Sequence, residues 1–319
     1  MTPDPLHPAD AGRAGAARPV ALRFEIGART LVAVQRDLVR IGLSLDAALG
    51  TTLPLLPPLD REGQGYAITS LPAAWVDPIV AASGAMLPFV RQRYTRYFID
   101  LGLGFDRWFA SLSGNTRQGL RRKVRRVAAE SGGEVDVRRF ATPEGIEHFH
   151  DVARRIALRT YQERLLGAGL PDSPEFLARM RADAAADRVR AWLLYIAGEP
   201  AAYLYCPAEG ETMLYAYVGH DPAFNDFSPG TVLQLEALRD LFDEGRFARF
   251  DFTEGEGQHK RQLASGGIAC VDLLLLRPSL ANRATMLSLG LFNRAVAAAK
   301  RLVQRAGLAR HLRWLRRGR

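Results

Sequence analysis

The sequence predicts a mixed α/β (α+β) fold, a mostly antiparallel sheet flanked by helices, with a smaller N-terminal α/β subdomain and a basic helical C-terminal tail. Three observations carry this expectation. From Glu134 onward, strand-like runs and helix-period segments follow one another as β-α-α-β-β-β-α-β, then a short helix and a last strand. An apolar fraction of 48% and a charged fraction of 24% over 319 residues are enough to bury a full core. Charge is also segregated. Ser279 to Arg319 holds ten of the 43 Lys and Arg residues and no Asp or Glu, leaving 33 basic against 34 acidic residues elsewhere. A near-neutral body with a basic tail argues for one local anionic contact and against a chain that coats nucleic acid.

Residues 1 to 20 are rich in Pro, Ala and Gly without an apolar h-region, and are expected to be a disordered leader. A small α/β subdomain is expected over 21–110. Val20 to Ile26 reads as a strand, Leu31 to Leu49 as a helix-like run, Leu53 to Pro58 as a Pro-rich connector, and Arg93 to Leu101 as a strand. Tyr66 to Val90 has one charge, Asp77, but Pro72, Pro78, Pro88 and Gly84 interrupt it and argue against a membrane span. A cytoplasmic protein is the default.

The main domain is expected over 111–277. Ser113 or Asn115 can cap a helix that ends near Gly132-Gly133. Leu120, Val124 and Val127 form a narrow apolar seam, while Arg122, Lys123, Arg125 and Arg126 spread over the remaining circumference as a solvated basic face. Arg117 lies about 60° from Leu120 at 100° per residue. With Arg121 it suits an ion pair or an anion contact.

Glu134 to Phe140 reads as a strand, and Pro143 to Leu166 as a helix with Ile146, Phe149, Val152, Ala153, Ile156 and Thr160 on one face. A second helix, Pro174 to Asp187, leads into the strands Val189 to Ala197 and Pro200 to Cys206 around a Gly198-Glu199 turn. Met213 to Val218 completes a meander. A polar loop closed by Ser228-Pro229-Gly230 then opens the helix Thr231 to Glu244, and Phe247 to Phe252 returns as a strand. The charged segment with Glu254, Glu256, His259 and Lys260 follows, before the last strand, Ile268 to Leu276.

Five stretches in this order resemble one family: the basic helix from Leu112 to Arg126, TYQERLLGAGL (160–170), YAYVGHDPAF (215–224), SPGTVL (228–233) and DFTEGEGQHK (251–260). Together they are similar to the GNAT acyltransferases. More narrowly they resemble the CelD-like branch found with cellulose and exopolysaccharide synthesis, which is related to the Fem-type aminoacyl transferases. The resemblance covers roughly Phe98 to Leu276.

It implies acyl-CoA, acetyl-CoA in the simplest case, as co-substrate, held in a wedge where a β-bulge splays the fourth and fifth strands. Ser228, Gly230, Thr231 and Val232, at the start of the following helix, would bind its pyrophosphate, although the same residues would serve an ordinary helix start. The family's leading Arg or Gln and first Gly are replaced by Asn225 and Ser228. Acyl transfer to an amine needs a base and a site for the oxyanion. Asp251 and Glu254 are the expected bases, with His220-Asp221 sharing the task. One hydroxyl of Tyr215 and Tyr217, expected on one sheet face, would be the acid, unless both are core. Lys260, Arg117 and Arg121 are the expected substrate contacts, and His259 stands where the family has Tyr.

The branch implies a saccharide acceptor, the Fem relatives a charged tRNA, and a degenerate site a non-catalytic accessory protein at the membrane. GxSxG, P-loop and HExxH patterns and a clustered metal spacing are absent, and the two cysteines, Cys206 and Cys270, fall in apolar runs as buried thiols. In the tail (278–319), Leu289, Phe292, Val296, Ala299 and Val303 recur on one helix face opposite Arg294, Arg301 and Arg305. That face suits either the protein's own body or an anionic membrane surface, and Leu308 to Arg319 suits the latter.

Overall fold

The computed structural model describes residues 16–26, 29–159, 169–255 and 257–305. Thr160, the stretch 160–168, Glu256 and the tail from 306 onward lie outside them, as does most of the expected leader. The chain forms two compact units, one of residues 44–51 and 94–270, the other built on residues 16–43, 52–93 and 271–305.

In the second unit, β1 (Arg18–Ile26) pairs antiparallel with β2 (Arg29–Gly42), and β2 pairs parallel with β3 (Gly65–Pro72). β3 in turn neighbours the end of β11 (Gly266–Leu276). The helix expected from Leu31 is therefore a strand, and only α1 (Leu45–Leu49), capped by Ser44, which accepts from the Ala47 N–H at 3.0 Å, is helical. Val34, Leu38 and Ile41 have helix-like spacing, but Val32, Val34, Val39 and Ile41 are β-branched. β1 pairs with its residues 29–38 and β3 with residues 38–42, so a partner strand runs along its whole length and overrides a weak periodic signal. α2 (Val76–Ala82) and the first half of β4 (Leu87–Asp100) complete this part, so the apolar stretch at 66–90 is strand, turn and short helix. Among the described residues no helix is long and apolar enough to cross a membrane.

α9 (Leu280–Arg305) docks on its own unit by the first part of the expected seam. Leu289 is buried, Phe292 meets Phe24 edge-on at 5.3 Å, and Arg36 donates to Asn282 Oδ1 and Thr285 Oγ1 at 2.9 and 2.7 Å.

The first unit is a mixed α/β, GNAT-like arrangement of mostly antiparallel strands with helices on both faces. Its strand order is β4, β10 (Arg249–Asp251), β8 (Thr212–Leu214), β7 (Glu199–Glu209), β6 (Val189–Ile196), β5 (Asp136–Phe140). One face is covered by α3 (Phe105–Ser111), α4 (Gly114–Glu130) and α7 (Pro229–Glu244), around Trp108, Leu120, Val127, Leu233, Leu238 and Phe250. The other is covered by α5 (Pro143–Ala157) and α6 (Pro174–Ala185), around Phe149, Ile156, Phe176, Met180 and Tyr205. Ser113 caps α4, accepting from the Thr116 N–H at 3.2 Å, and Leu120 and Val127 bury its seam against α7. Both cysteines are buried and neither forms a disulfide among the described residues.

The strand expected from Met213 to Val218 is broken. β8 pairs with both β7 and β10, then the chain steps out at Tyr215-Ala216 and resumes as β9 (Tyr217–His220), which pairs with β7. The Tyr215 N–H bonds Asp251 O at 2.9 Å as the last link to β10. Past that point no strand among the described residues pairs with the other edge of β9. The Asp221 N–H bonds Ala201 O at 2.9 Å, so by strand alternation the N–H groups of Val218 and His220 point away from β7, into the opening.

Candidate functional site

A cleft of about 1140 Å³ fills this opening, with α4 on one side, β9 as its floor, the start of α7 beyond it and α8 (Gln258–Leu263) at its rim. Of the expected site residues, His220, Ser228, Gly230 and Thr231 line it. Val232 is one residue too far round the helix and is buried in the core.

The start of α7 is shaped by Ser228, which adopts a left-handed conformation (φ 54°, ψ 51°) between the 3-10 turn Pro222–Phe227 and the helix. Its hydroxyl makes no cap bond, so the side chain leaves the helix end open. Its carbonyl accepts from the Thr231 and Val232 N–H groups at 3.0 and 3.3 Å. Pro229 has no N–H to offer. Of the first turn, Gly230 is therefore the residue whose N–H is left to face the cleft, and a Cβ there would meet only His220 Nδ1, at 3.9 Å. As a phosphate cradle the backbone is thinner than the family pattern implies.

His220 is held from one side. Its Nε2 lies 2.8 Å from Asn225 Oδ1, and in the tautomer that donates through Nε2 the Nδ1 lone pair is left for the cleft. Asn225, at the position of the family's leading cation, orients the imidazole instead. Asp221 is occupied elsewhere. Burial pushes its carboxyl up, but the Ala223 N–H and the Arg159 guanidinium, at 3.0 and 2.7 Å, outweigh this and hold it below the ordinary range.

Asp251 is not an accessible base. It is fully buried, its carboxylate accepts from Arg96 Nε at 3.0 Å and Nη2 at 2.5 Å, and one oxygen also takes the Thr253 N–H at 2.8 Å. Nor do Tyr215 and Tyr217 share a sheet face. The extra residue at the break inverts side-chain alternation, so Tyr215 reaches the cleft while Tyr217 turns into the opposite core against Phe176 and Tyr205. Burial holds the Tyr215 hydroxyl well above the ordinary phenol range, hence protonated.

Glu254 is exposed on the loop after β10, outside the cleft lining. Lys260 folds that loop, donating to the carbonyls of Glu254 and Gly255 at 2.7 and 3.3 Å, and burial lowers its pKa. His259 does line the cleft and keeps an aromatic contact, with Tyr215 at 6.2 Å and Phe252 at 6.4 Å. Arg117 and Arg121 are on the far side of α4, in a separate concavity of about 810 Å³ with Phe105, Phe109 and Arg239.

Two cleft residues escaped the sequence reading. Lys123 reaches Thr231 Oγ1 at 3.2 Å from α4. Gln234, one turn into α7, is 3% exposed and its Nε2 has no hydrogen-bond partner among the described residues. Gln234 was legible only as a polar residue at a core-facing position of a helix, and Lys123 not at all among its basic neighbours. Among the described residues no His, Cys, Asp and Glu cluster could hold a metal.

Residues 114–261, a little under half of the chain, match the family model of the acetyltransferase (GNAT) domain. Over that span the chain is similar to the GNAT acetyltransferases. Its matched span runs from the start of α4 to α8 and so contains most of the cleft lining. Among solved structures, the chain resembles the C-terminal DUF2156 domain of a protein assigned as a lysylphosphatidylglycerol synthetase from Agrobacterium fabrum, with a TM-score of 0.50 at 11% identity over 70% of this chain and 71% of that one. FemX follows with a TM-score of 0.48 at 10% identity over 82% and 88%. A GCN5-related N-acetyltransferase from Kribbella flavida gives 0.37 at 15% over 68% and 71%. At such identities the likeness is one of fold. No curated protein matches the chain.

Proposed function

We propose that the GNAT domain transfers an acyl group, acetyl in the simplest case, from acyl-CoA to an amine or hydroxyl of a sugar or polysaccharide precursor. The observation behind this reading is the opening beside β9, where an oriented imidazole, an unpaired strand edge and an open helix start face one cleft. The acceptor class rests on the resemblance to the exopolysaccharide-associated branch.

The cleft suits such a co-substrate. A buried amide donor, Gln234 Nε2, is unpartnered there, and Gly230 leaves room for close approach to the backbone. Bound acyl-CoA would supply the acyl group as a thioester. His220 Nδ1 takes the proton from the acceptor nucleophile while Asn225 holds the ring. The Val218 and His220 N–H groups are the donors available to a carbonyl oxygen that gains charge. Tyr215, kept protonated by burial, is the proton source for the leaving sulfur. Acetyl-CoA at a hundredfold excess over its Kd should stabilise the fold by about 2.7 kcal/mol, raising Tm by several degrees. An unchanged melting curve at millimolar acetyl-CoA would sink the reading.

A membrane-surface location, peripheral and on the cytoplasmic side, is favoured by α9. Leu280, Leu287, Leu291 and Leu302 are 87, 66, 55 and 66% exposed. At 100° per residue they fall within an arc of about 60°, roughly opposite the docked Leu289. Arg283 and Arg294 border that stripe and are exposed, and no acidic residue occurs after Ser279. Such a helix lies on an anionic bilayer without crossing it. The full chain should co-sediment with phosphatidylglycerol vesicles but not phosphatidylcholine vesicles, and Leu287→Asp with Leu291→Asp should abolish this. Equal recovery of both proteins in the supernatant at low salt contradicts it.

A further inference from the structure

The start of α7 is short of positive charge for the ligand its fold implies. Pro229 contributes no N–H, the Thr231 and Val232 N–H groups are turned toward Ser228 O, and Asn225 stands where relatives place a cation. A helix start of this kind leaves one N–H and a partial dipole charge, little to hold a diphosphate against water.

Two side chains make good the deficit, and neither belongs to the helix-start motif. Lys123 projects from α4 across the cleft to Thr231 Oγ1, at 3.2 Å, which fixes its ammonium beside the Gly230-Thr231 turn. No carboxylate among the described residues forms an ion pair with it. Burial, with Arg122 adding, pulls its pKa below the ordinary value, as for a cation that lacks a counter-charge. Gln234 lies four residues beyond Gly230, on the same helix face and deeper in the cleft. It is 97% buried by its 3% exposure, and its Nε2 is without a partner. Such a donor costs stability unless an acceptor meets it.

We infer that Lys123 and Gln234 form a two-point donor site: Lys123 binds the diphosphate of the co-substrate at the mouth, and Gln234 donates to an amide carbonyl of the arm that runs inward from it. The site thus replaces a helix-start cation in sequence with a cation from the facing helix. It rests on the acyl-CoA reading above and adds the residues that discriminate a phosphorylated donor carrying an amide-containing arm. The outer arginines of α4, Arg117 and Arg121, face a different concavity and take no part.

Calorimetric titration of the full chain with CoA and with pantetheine, which lacks the phosphates, tests this. Lys123→Met should weaken CoA binding about ten- to hundredfold while pantetheine affinity stays unchanged, and Lys123→Arg should retain most of the affinity. Gln234→Leu should weaken both ligands about tenfold without lowering Tm, because it removes an unpartnered buried amide. Wild-type protein that binds no CoA defeats the acyl-CoA reading itself. CoA binding that survives Lys123→Met intact, or a Gln234→Leu loss accompanied by a collapse in Tm, defeats the two-point site alone.

Discussion

Replacing Arg96 with Met is expected to destabilise the first unit by about 3–5 kcal/mol, a large part of the roughly 5–15 kcal/mol that holds a typical fold together. Arg96 is 5% exposed and Asp251 is not exposed at all. The guanidinium meets the carboxylate through Nε and Nη2, and the Thr253 N–H takes a remaining lone pair. Removing the cation strands a carboxylate between β4 and β10 with no water to solvate it. Pairing Arg96→Met with Asp251→Leu should recover much of the loss, since a buried pair exchanged for apolar residues leaves no orphan charge. Denaturant unfolding with an unchanged slope and a lowered midpoint is the readout. The same series separates two roles for Asp251. As an anchor, Asp251→Asn weakens the fold and acyl transfer falls in proportion to the folded fraction. Full stability with abolished turnover would restore Asp251 as a base and overturn its structural assignment.

The position of that pair explains why Asp251 misleads in sequence. It ends a strand beside a charged loop, which is where catalytic carboxylates sit, but its partner is 155 residues earlier in β4. Local pattern carries no trace of a contact at that separation. What the residues themselves dictate is legible. Ser113 before an apolar seam, Pro229 at a helix start, and the Gly198-Glu199 turn between two apolar strands all report bonds made within a few residues. β2 is the converse case, because its strand character comes from β1 and β3, and its side-chain spacing alone fits a helix.

The site follows the same division. His220, Gly230 and Thr231 are legible because the strand end and the helix that follows it are local features. The parity of Tyr215 and Tyr217 is not, since one extra residue at the break inverts it and nothing in YAY marks the step. Lys123 is illegible for another reason. A cation on a basic helix differs from its neighbours only in what the facing helix presents, here Thr231 Oγ1. The departure at Asn225 reads in sequence as a missing cation, whereas in three dimensions Asn225 meets the His220 ring, and on the inference above a lysine of α4 supplies the charge.

Replacing His220 with Ala is expected to lower the rate constant of acyl transfer by about 10²–10⁴-fold, with affinity for CoA unchanged by calorimetry. Asn225→Leu should give a smaller loss, about tenfold in kcat, with KM for acyl-CoA unmoved, because Asn225 acts through the ring it holds. Added imidazole should restore part of the His220→Ala rate, a response that a packing role cannot produce. His259 is the control, since it also lines the cleft, and burial followed by the Lys260 charge keeps its pKa below the ordinary imidazole value. Yet it packs against Tyr215 and Phe252 with no orienting partner among the described residues, whereas His220 has Asn225 at 2.8 Å and its Nδ1 beside Gly230. His259→Phe should therefore retain turnover within about threefold. Should His259→Phe lose activity that imidazole restores while His220→Ala keeps it, the two rings exchange roles and the base lies on α8.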